Sequence, residues 1–501
     1  MTDEELRAIE ELKNVPAEGV ENYSINTESE EKRISGNSPV ALIIGICLIC
    51  ILLCAGGLFA AFKFGLFDSP RTRVAKAVYN TVMDDNYIGV IGKAGEILSG
   101  DIISSKGEVD TSIKGITVET YLDAVTDKVE GKVSATLNTE IAGALKEELK
   151  VFYREDKLQL YAKDLLDKIL VYDTKRENDG FVPSAILGFS KGTIDDVNVI
   201  FGYPARILRA QHGNAYSYNP EAFDTIEDIE FNKIDSREFV VDEKTVKCKG
   251  YETVISKTDF ESFEKISQTI QDEIYGEELE KLNQAICNLT GEEYREVIES
   301  GRADISSAMD RLENIENLKI DFYIYNDMLA ALDIETGDAS ALVEFKGGDK
   351  RTSNILFTIK TDEATSVIEK KSLMEYGITE KGELYENDSL VASYEYNTDN
   401  GDYEIAFANN DNTSGEDELS GENKLSGKFF VNDDDSVDIS AKTRIEGVKV
   451  IVSLNLKQGG VIEELQGEEF DIGSAEILDY LPLINEVKES LGGFADLLGL
   501  R

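Results

Sequence analysis

Tryptophan is absent from this chain of 501 residues, histidine occurs once and proline only seven times. Without tryptophan the commonest sugar-stacking platform is missing, which argues against a glycosidase although carboxylates are plentiful. The single histidine, His212, cannot build a catalytic zinc centre without carboxylate help, and no H-E-x-x-H is present. Of five cysteines, Cys47, Cys50 and Cys54 sit in one apolar run, leaving only Cys248 and Cys287. Two cysteines make neither a disulfide framework nor a structural zinc site, and whether they pair or stay free is left open. Basic residues are also scarce: 51 Lys and Arg face 98 Asp and Glu, for a formal net charge of -47. No basic stripe exists to neutralise phosphates, so nucleic acid is excluded as a partner, and anionic membrane surfaces are disfavoured for the chain as a whole. No G-x-x-x-x-G-K-[ST] loop supports nucleotide hydrolysis. Disorder is not implied, because Val, Ile, Leu, Tyr and Phe recur periodically along the chain.

What is present first is an uncharged run from Val40 to Phe62, bounded by Arg33 and Lys63. It has about the 20 apolar residues that a helix needs to cross hydrocarbon. A long acidic tail precedes it, unlike the short basic region of a secretory signal, so it reads as an uncleaved anchor. Ile46, Ile49 and Leu53 precede the three cysteines where a lipobox needs a small residue. The cysteines share a helix face, and the plain reading is that they pack as small apolar side chains. Lys63, Arg71, Arg73 and Lys76 after the span favour a cytoplasmic C-terminal part, but long domains translocate largely regardless of charge. The expectation is a single-pass membrane protein with its large domain outside the cytoplasm.

About 430 residues follow the run. "SPRTRVAKAVYNTVMDDN" predicts a helix from Pro70 with Val74, Val78 and Val82 on one side. From Gly100 the pattern turns to strands in "GKVSATLNTE", "KLQLYAKD" and "KILVYDT". "REFVVDEKTVKCKGYETVISKTDF" reads as two strands feeding a helix. A helical block follows, with capping-box pairs Thr258/Glu261 and Thr290/Glu293 and apolar Leu279, Leu282, Ile286 and Leu289 at helical spacing; Met309, Leu312 and Ile315 extend it. Strands resume near Leu318 and run past Leu456, including a hairpin around Asn400-Gly401. The end, from Ser474, is helical. The expected fold class is α+β: a transmembrane helix, then large antiparallel sheets with helices on one face, in an order that suggests two related halves. The divisions are an acidic cytoplasmic tail over 1–38, the membrane helix over 39–63, a β-rich first half over 70–257, a helical segment over 258–315 and a β-rich second half over 316–501. In the tail, Leu6, Ile9 and Leu12 form a narrow stripe that a cytoplasmic partner would contact if the protein were a signalling regulator.

The anchor, the helix at "SPRTRVAKAVYNTV" and "VKCKGYETVISKTDF" together resemble membrane-anchored proteins of clostridial Firmicutes that belong to families of unknown function. The layout from Pro70 to Arg501 also looks like the lipoprotein-carrier folds: the Lol-type carriers, the mycobacterial lipid carriers and an envelope-stress regulator that binds an anti-sigma factor. That resemblance implies a concave apolar face that holds acyl chains, hence binding rather than catalysis. It transfers no ligand residue, and fold does not fix function.

The candidate chemistry is thin. Gly188, Ser190 and Gly192 form G-x-S-x-G, but a nucleophile elbow needs a preceding strand and a following helix in an alternating β/α fold. A loop that uses the two glycines is the better reading. His212, in "RAQHGNAYSYN", reads as a surface-loop residue. Asp433, Asp434, Asp435 and Asp438 lack the spacing of a calcium loop and read as a solvated hairpin turn, and Asn409–Asn423 as a polar loop. No catalytic, cofactor or metal residue is therefore assigned, and the expected function is a non-enzymatic binding or interaction module of the cell envelope, its partners the membrane through Val40–Phe62 and an envelope protein or lipid. For a carrier-like sheet, Val450, Val452, Leu454 and Leu456, with Tyr403, Ile405 and Phe407, should face inward, and Ser453 and Glu404 outward. The helices after Thr258 carry enough Phe, Ile and Leu to close that face into a packed core.

Overall fold

The computed structural model describes residues 69–84, 86–113, 116–141, 145–188, 192–215, 229–259, 276–291, 317–337, 339–361, 364–408, 424–445 and 448–497, all within the second of two compact units, Leu48–Arg501. Two helices open it, α1 (Pro70–Met83) and α2 (Asn86–Ser99). Six strands follow: β1 (Ile102–Ile113), β2 (Ile116–Asp127), β3 (Lys132–Ile141), β4 (Leu145–Arg154), β5 (Lys157–Ala162) and β6 (Ile169–Asp173). Helices α3 (Phe181–Gly188) and α4 (Ile194–Ala215) precede the hairpin β7 (Phe231–Val241) and β8 (Lys244–Ser256), and α5 (Glu277–Thr290) comes next. The second block comprises β9 (Asn317–Tyr325), β10 (Met328–Thr336), β11 (Ala339–Gly347), β12 (Asn354–Thr361), β13 (Thr365–Glu375) and β14 (Thr379–Glu386). It continues through β15 (Ser389–Asn397), β16 (Asp402–Phe407), β17 (Lys424–Val431), β18 (Val437–Ile445) and β19 (Val448–Gln458), and ends with β20 (Glu469–Asp471) and α6 (Tyr480–Leu497).

Among the described residues all 20 strands form one sheet. Strands β1 to β6 pair antiparallel in sequence order, as do β7 to β19. The blocks are joined by β1 against β19, in register from Ile103↔Gln458 to Ser112↔Lys449. The short β20 lies parallel to β6. The expected α+β class with two related halves is thereby corrected: the described chain is mostly β, one mixed sheet whose seam is a pairing between the first and next-to-last strands. Each half has sheet-forming alternation, but local patterns say nothing about which distant strands become neighbours. No described helix is long and apolar enough to cross a membrane. The run Val40–Phe62, the tail stripe at Leu6 and the helices expected at Glu293 and Met309 lie outside the described residues.

Turn chemistry sets the local registers. Two-residue turns at Asp242-Glu243, Asn326-Asp327 and Asn387-Asp388 put both residues at positive φ, the geometry whose twist matches the flanking strands. The Asn400-Gly401 pair behaves differently from the expected tight turn. Only Gly401 is left-handed, at φ 76°, in a longer connection between β15 and β16 where a Cβ would run into the Phe429–Phe430 backbone. Farther along, Gly427 lies opposite Tyr403 and Ala441. A side chain there would collide with the Ser440 carbonyl, and Tyr403 instead donates its hydroxyl to that carbonyl at 2.8 Å.

Helix α1 starts as its sequence predicts, with Ser69 capping Thr72 N and Pro70 in the first turn. It buries Val74, Ala75, Ala77, Val78 and Thr81 against β7, β9 and β10. Thr81 donates to the Ala77 carbonyl and accepts from the Leu329 N–H, both at 2.7 Å, where a bulge between Leu329 and Ala331 interrupts the β10 ladder. Helix α2 buries Val90, Ala94 and Ile97 on Val437 and Leu456, in contact with β17, β18 and β19.

Helix α4 reaches into the segment around His212 that was expected as a loop, and Gly202, Pro204 and Gly213 interrupt its pattern. Tertiary contact repairs the interruption. Tyr153 of β4 donates its hydroxyl to the Phe201 carbonyl at 2.7 Å and accepts from the Ala205 N–H at 3.2 Å, entering the helix ladder beside the proline that cannot donate. Phe201 packs its ring 5.7 Å from Tyr153 and 5.0 Å from Tyr172. Burial pushes the Tyr153 phenol above its ordinary value. Replacing Tyr153 with Phe should leave both backbone groups unmatched and destabilise the fold by about 1–3 kcal/mol in urea unfolding; an unchanged midpoint would show that the hydroxyl does not hold the helix.

Candidate functional site

The register divides the sheet into two chemically distinct faces. On β19, Val448, Val450, Val452, Leu454 and Leu456 alternate with Lys449, Ile451, Ser453, Asn455 and Lys457, four of the five polar. Val452 lies opposite Ala441 on one side and Val109 on the other; Gly107, two residues before Val109, lies opposite Leu122, which lies opposite Leu137. Tyr403 joins the same face through Gly427 and Ala441, as do Ile405 and Phe407. All seven positions expected to point inward thus share one face, and Ser453 and Glu404 share the other.

The cover is not the expected one. Residues 260–275, after Thr258, lie outside the described set, and α5 packs on α4. The apolar face is met instead by α1 and α2 and, through Tyr153 and Tyr172, by α4. Between these helices it stays partly open. Val109 is 43% exposed, Val452 44% and Leu122 40%, and Phe407 at the rim is 47% exposed. Apolar side chains this accessible in the middle of long strands give no packing benefit of their own.

Glu147 of β4 stands in one row with Val109, and a polar cluster interrupts the apolar face farther along. Glu380, 3% exposed, lies on it because it pairs with Tyr396 and is two residues from Gly382, which lies opposite Tyr394. Its carboxylate accepts from the Tyr394 hydroxyl at 2.7 Å and meets Lys350 at 3.3 Å and Lys370 at 3.7 Å. Lys370 also lies 5.7 Å from the Tyr394 ring centroid. Burial alone would raise the Glu380 pKa, but the Tyr394 hydrogen bond and the two ammonium groups outweigh it and hold the carboxyl below its usual value. Two lysines around one carboxylate leave the cluster with a positive balance in a strongly acidic chain. No pattern in the sequence marks these residues; only strand register and the β11–β12 loop bring them together.

The motif residues are scattered. Gly188 ends α3 and Gly192 precedes α4, while Ser190 lies outside the described residues. A helix therefore precedes the motif where a nucleophile elbow needs a strand. His212 is in the last turn of α4 rather than in a loop, with Nε2 2.7 Å from Asp101 Oδ1. The acidic turn between β17 and β18 is held by its own chain and nearby lysines. Asp434 accepts from Ser436 and pairs with Lys457 at 2.8 Å, Asp435 pairs with Lys93 at 3.5 Å, and Asp438 accepts from Asn455 at 2.7 Å. The Lys457 and Ser436 hydrogen bonds hold the Asp434 carboxyl well below its usual value. Among the described residues no group of three or more His, Cys, Asp or Glu side chains is arranged to hold a metal. Cys248 and Cys287 are both buried and both free.

A polar cleft of about 710 Å³ opens beside α4, with Lys132, Arg154, Lys175, Arg206 and Arg209 in its walls. Its basic groups are matched internally: Arg206 to Glu155 and Glu278, Arg209 to Glu155, Arg154 and Lys175 to Asp156. This is a salt-bridge network that ties α4 and α5 to the β4–β5 turn.

Compared with known proteins, the chain matches no family model and no curated protein. The sign of the Glu380 effect is fixed by its depressed pKa. Its stabilising contribution is present above the unfolded carboxyl value of about 4.3 and is lost as pH falls through the lower folded value. Glu380→Gln should cost about 3 kcal/mol at pH 7, because two buried ammonium groups lose their counter-charge. It should also flatten stability against pH below about 4. Urea unfolding from pH 7 to pH 3 reads both effects, and equal pH slopes in the two proteins would remove Glu380 from the account.

Proposed function

We propose that this chain is a non-enzymatic binding module of the cell envelope, anchored in the membrane through Val40–Phe62 with its large β domain outside the cytoplasm. Its binding surface is the apolar face of the sheet, and its ligand is an amphiphile with an acyl chain. The observation that carries the reading is the apolar face itself. It continues across β18, β19, β1, β2 and β3, beyond the cover of α1 and α2, with Val452, Val109 and Leu122 accessible. An acyl chain laid on it would recover about 25 cal/mol for each Å² of apolar surface removed from water. Lys350 and Lys370, which outnumber Glu380 on the same face, favour an anionic head group over a cationic one. The resemblance to lipoprotein carriers agrees with this choice.

Native mass spectrometry of the full chain extracted from its own membrane should find a co-purifying lipid, and a fluorescent fatty acid should bind at micromolar concentration. Val109→Asp and Val452→Asp each place a charge on the accessible face and should weaken that binding by about tenfold or more. Absence of lipid together with absence of fatty-acid binding would end the acyl reading and leave a protein-binding scaffold. Orientation has its own test. Protease added to intact protoplasts should digest the β domain while a cytoplasmic marker survives; a protected domain would place it inside.

A further inference from the structure

The face of the sheet turned away from α1 and α2 holds a trough of its own, astride the seam between β1 and β19. Its volume is about 510 Å³, inside the range of about 300–1,000 Å³ in which small-molecule sites fall. Two adjacent rows of cross-strand partners make its floor. The first runs from Asn138 on β3 through Tyr121, Glu108, Ser453 and Ser440 to Lys428 on β17. The second runs from Asp123 through Lys106 and Asn455 to Asp438. Side-chain length explains the concavity. Ser453 and Ser440 stand in the middle of the first row, with Tyr121 and Glu108 on one side and Lys428 on the other, so the surface dips where the two blocks of strands join. Each of these positions carries a polar group, in contrast to Val452 and Leu454 on the opposite face of the same strand.

The bonds already made in the trough restrict what enters it. Lys106 pairs with Asp123 at 3.1 Å, Lys428 with Asp438 at 3.1 Å, and Asn455 donates to Asp438 at 2.7 Å. Ser440 Oγ accepts from the Lys428 N–H at 2.8 Å. Neither ammonium group is left without a carboxylate, so an anionic ligand finds no unmatched cation. Every strand beneath the trough is paired on both sides, so an extended peptide has no backbone edge to join. An acyl chain would cover polar groups without satisfying them. The groups still available are neutral. Asn138 and Ser453 make no side-chain hydrogen bond to another described residue, and each of them can both donate and accept. Beside Asn138, Tyr121 is 40% exposed, and its hydroxyl donates to Glu119 at 3.2 Å, which holds the ring in place.

We infer that this trough binds a neutral oligosaccharide, with a sugar ring laid on Tyr121 and its hydroxyls met by Asn138 and Ser453. A sugar hydroxyl both donates and accepts, as those two side chains do, while the C–H face of the ring is apolar enough to stack on an aromatic side chain. The chain has no tryptophan, so tyrosine supplies the platform. The site lies on the opposite side of the sheet from the acyl-binding surface and depends on neither that surface nor the membrane anchor. Like the apolar face, it exists only because β1 and β19 pair, since Tyr121, Glu108 and Asn138 belong to one block and Ser453, Ser440 and Lys428 to the other.

Isothermal titration calorimetry of the full chain tests this with maltotetraose, cellotetraose and chitotetraose as neutral probes and tetragalacturonate as the charged counterpart. At least one neutral tetrasaccharide should bind saturably with a Kd below about 1 mM, and tetragalacturonate should bind at least about tenfold more weakly. Tyr121→Ala should weaken the neutral sugar by about fivefold or more. Should that variant not fold, Ser453→Gln, which fills the floor with a longer polar side chain, carries the same expectation. Tyr376→Ala, in a 98% exposed turn between β13 and β14, should bind as the unaltered chain does. No heat of binding from any neutral tetrasaccharide at about 10 mM would overturn the inference. So would tetragalacturonate binding as tightly as the neutral sugars, or sugar binding that Tyr121→Ala and Ser453→Gln both leave unchanged.

Discussion

The pairing of β1 with β19 is the constraint on which the rest of this structure depends. Ten register positions, from Ile103↔Gln458 to Ser112↔Lys449, join strands separated by most of the folded chain. Without that seam the molecule would be two smaller sheets, each with an extra open edge prone to pairing with other chains. With it, Val109 and Val452 become neighbours, and the apolar rows of the two blocks become one surface. Closing so long a loop contributes nothing until the strands meet, so a sheet assembled this way is expected to form slowly.

Irregular points in this sheet are met by local side-chain contacts. Tyr403 bonds to the Ser440 carbonyl over Gly427, and the bulge in β10 releases Leu329 N to Thr81 of α1. The same economy operates at α4, where the hydroxyl of Tyr153 substitutes for ladder bonds disturbed by Pro204. In each case a side chain from another element satisfies a backbone group that regular structure leaves unmatched. Buried backbone groups rarely remain unpaired.

The two faces differ in how they treat polar groups. On the face that meets the helices, Lys350, Lys370 and Tyr394 satisfy the buried carboxylate of Glu380, while the other face carries, besides its charges, the apolar cluster of Phe239, Val241, Cys248 and Tyr323. A buried ionic group held by three partners is stable only while the set is complete. That makes it a fixed polar point on the face that the helices cover.

Period-two alternation determined, from the sequence alone, which side chains of β16 and β19 share a face, since a pleated strand must send neighbours to opposite sides. Helical spacing and a Ser-Pro start likewise determined α1. Spacing also placed Leu279, Leu282, Ile286 and Leu289 on one helix, α5. Tertiary structure decided what lay beyond the local window. It made α4 a helix despite Gly202 and Pro204, because Tyr153 completes its bonds. It drew the Asn400-Gly401 turn into a longer connection, in which the Phe429 N–H donates to the Gly401 carbonyl at 2.9 Å. It turned two strand blocks into one sheet, and it assembled Glu380, Lys350 and Lys370 from separate elements. The physical reason is the same in each case: alternation and propensity are set by neighbours in the chain, whereas partners in register, bend and charge are set by residues that only folding brings near.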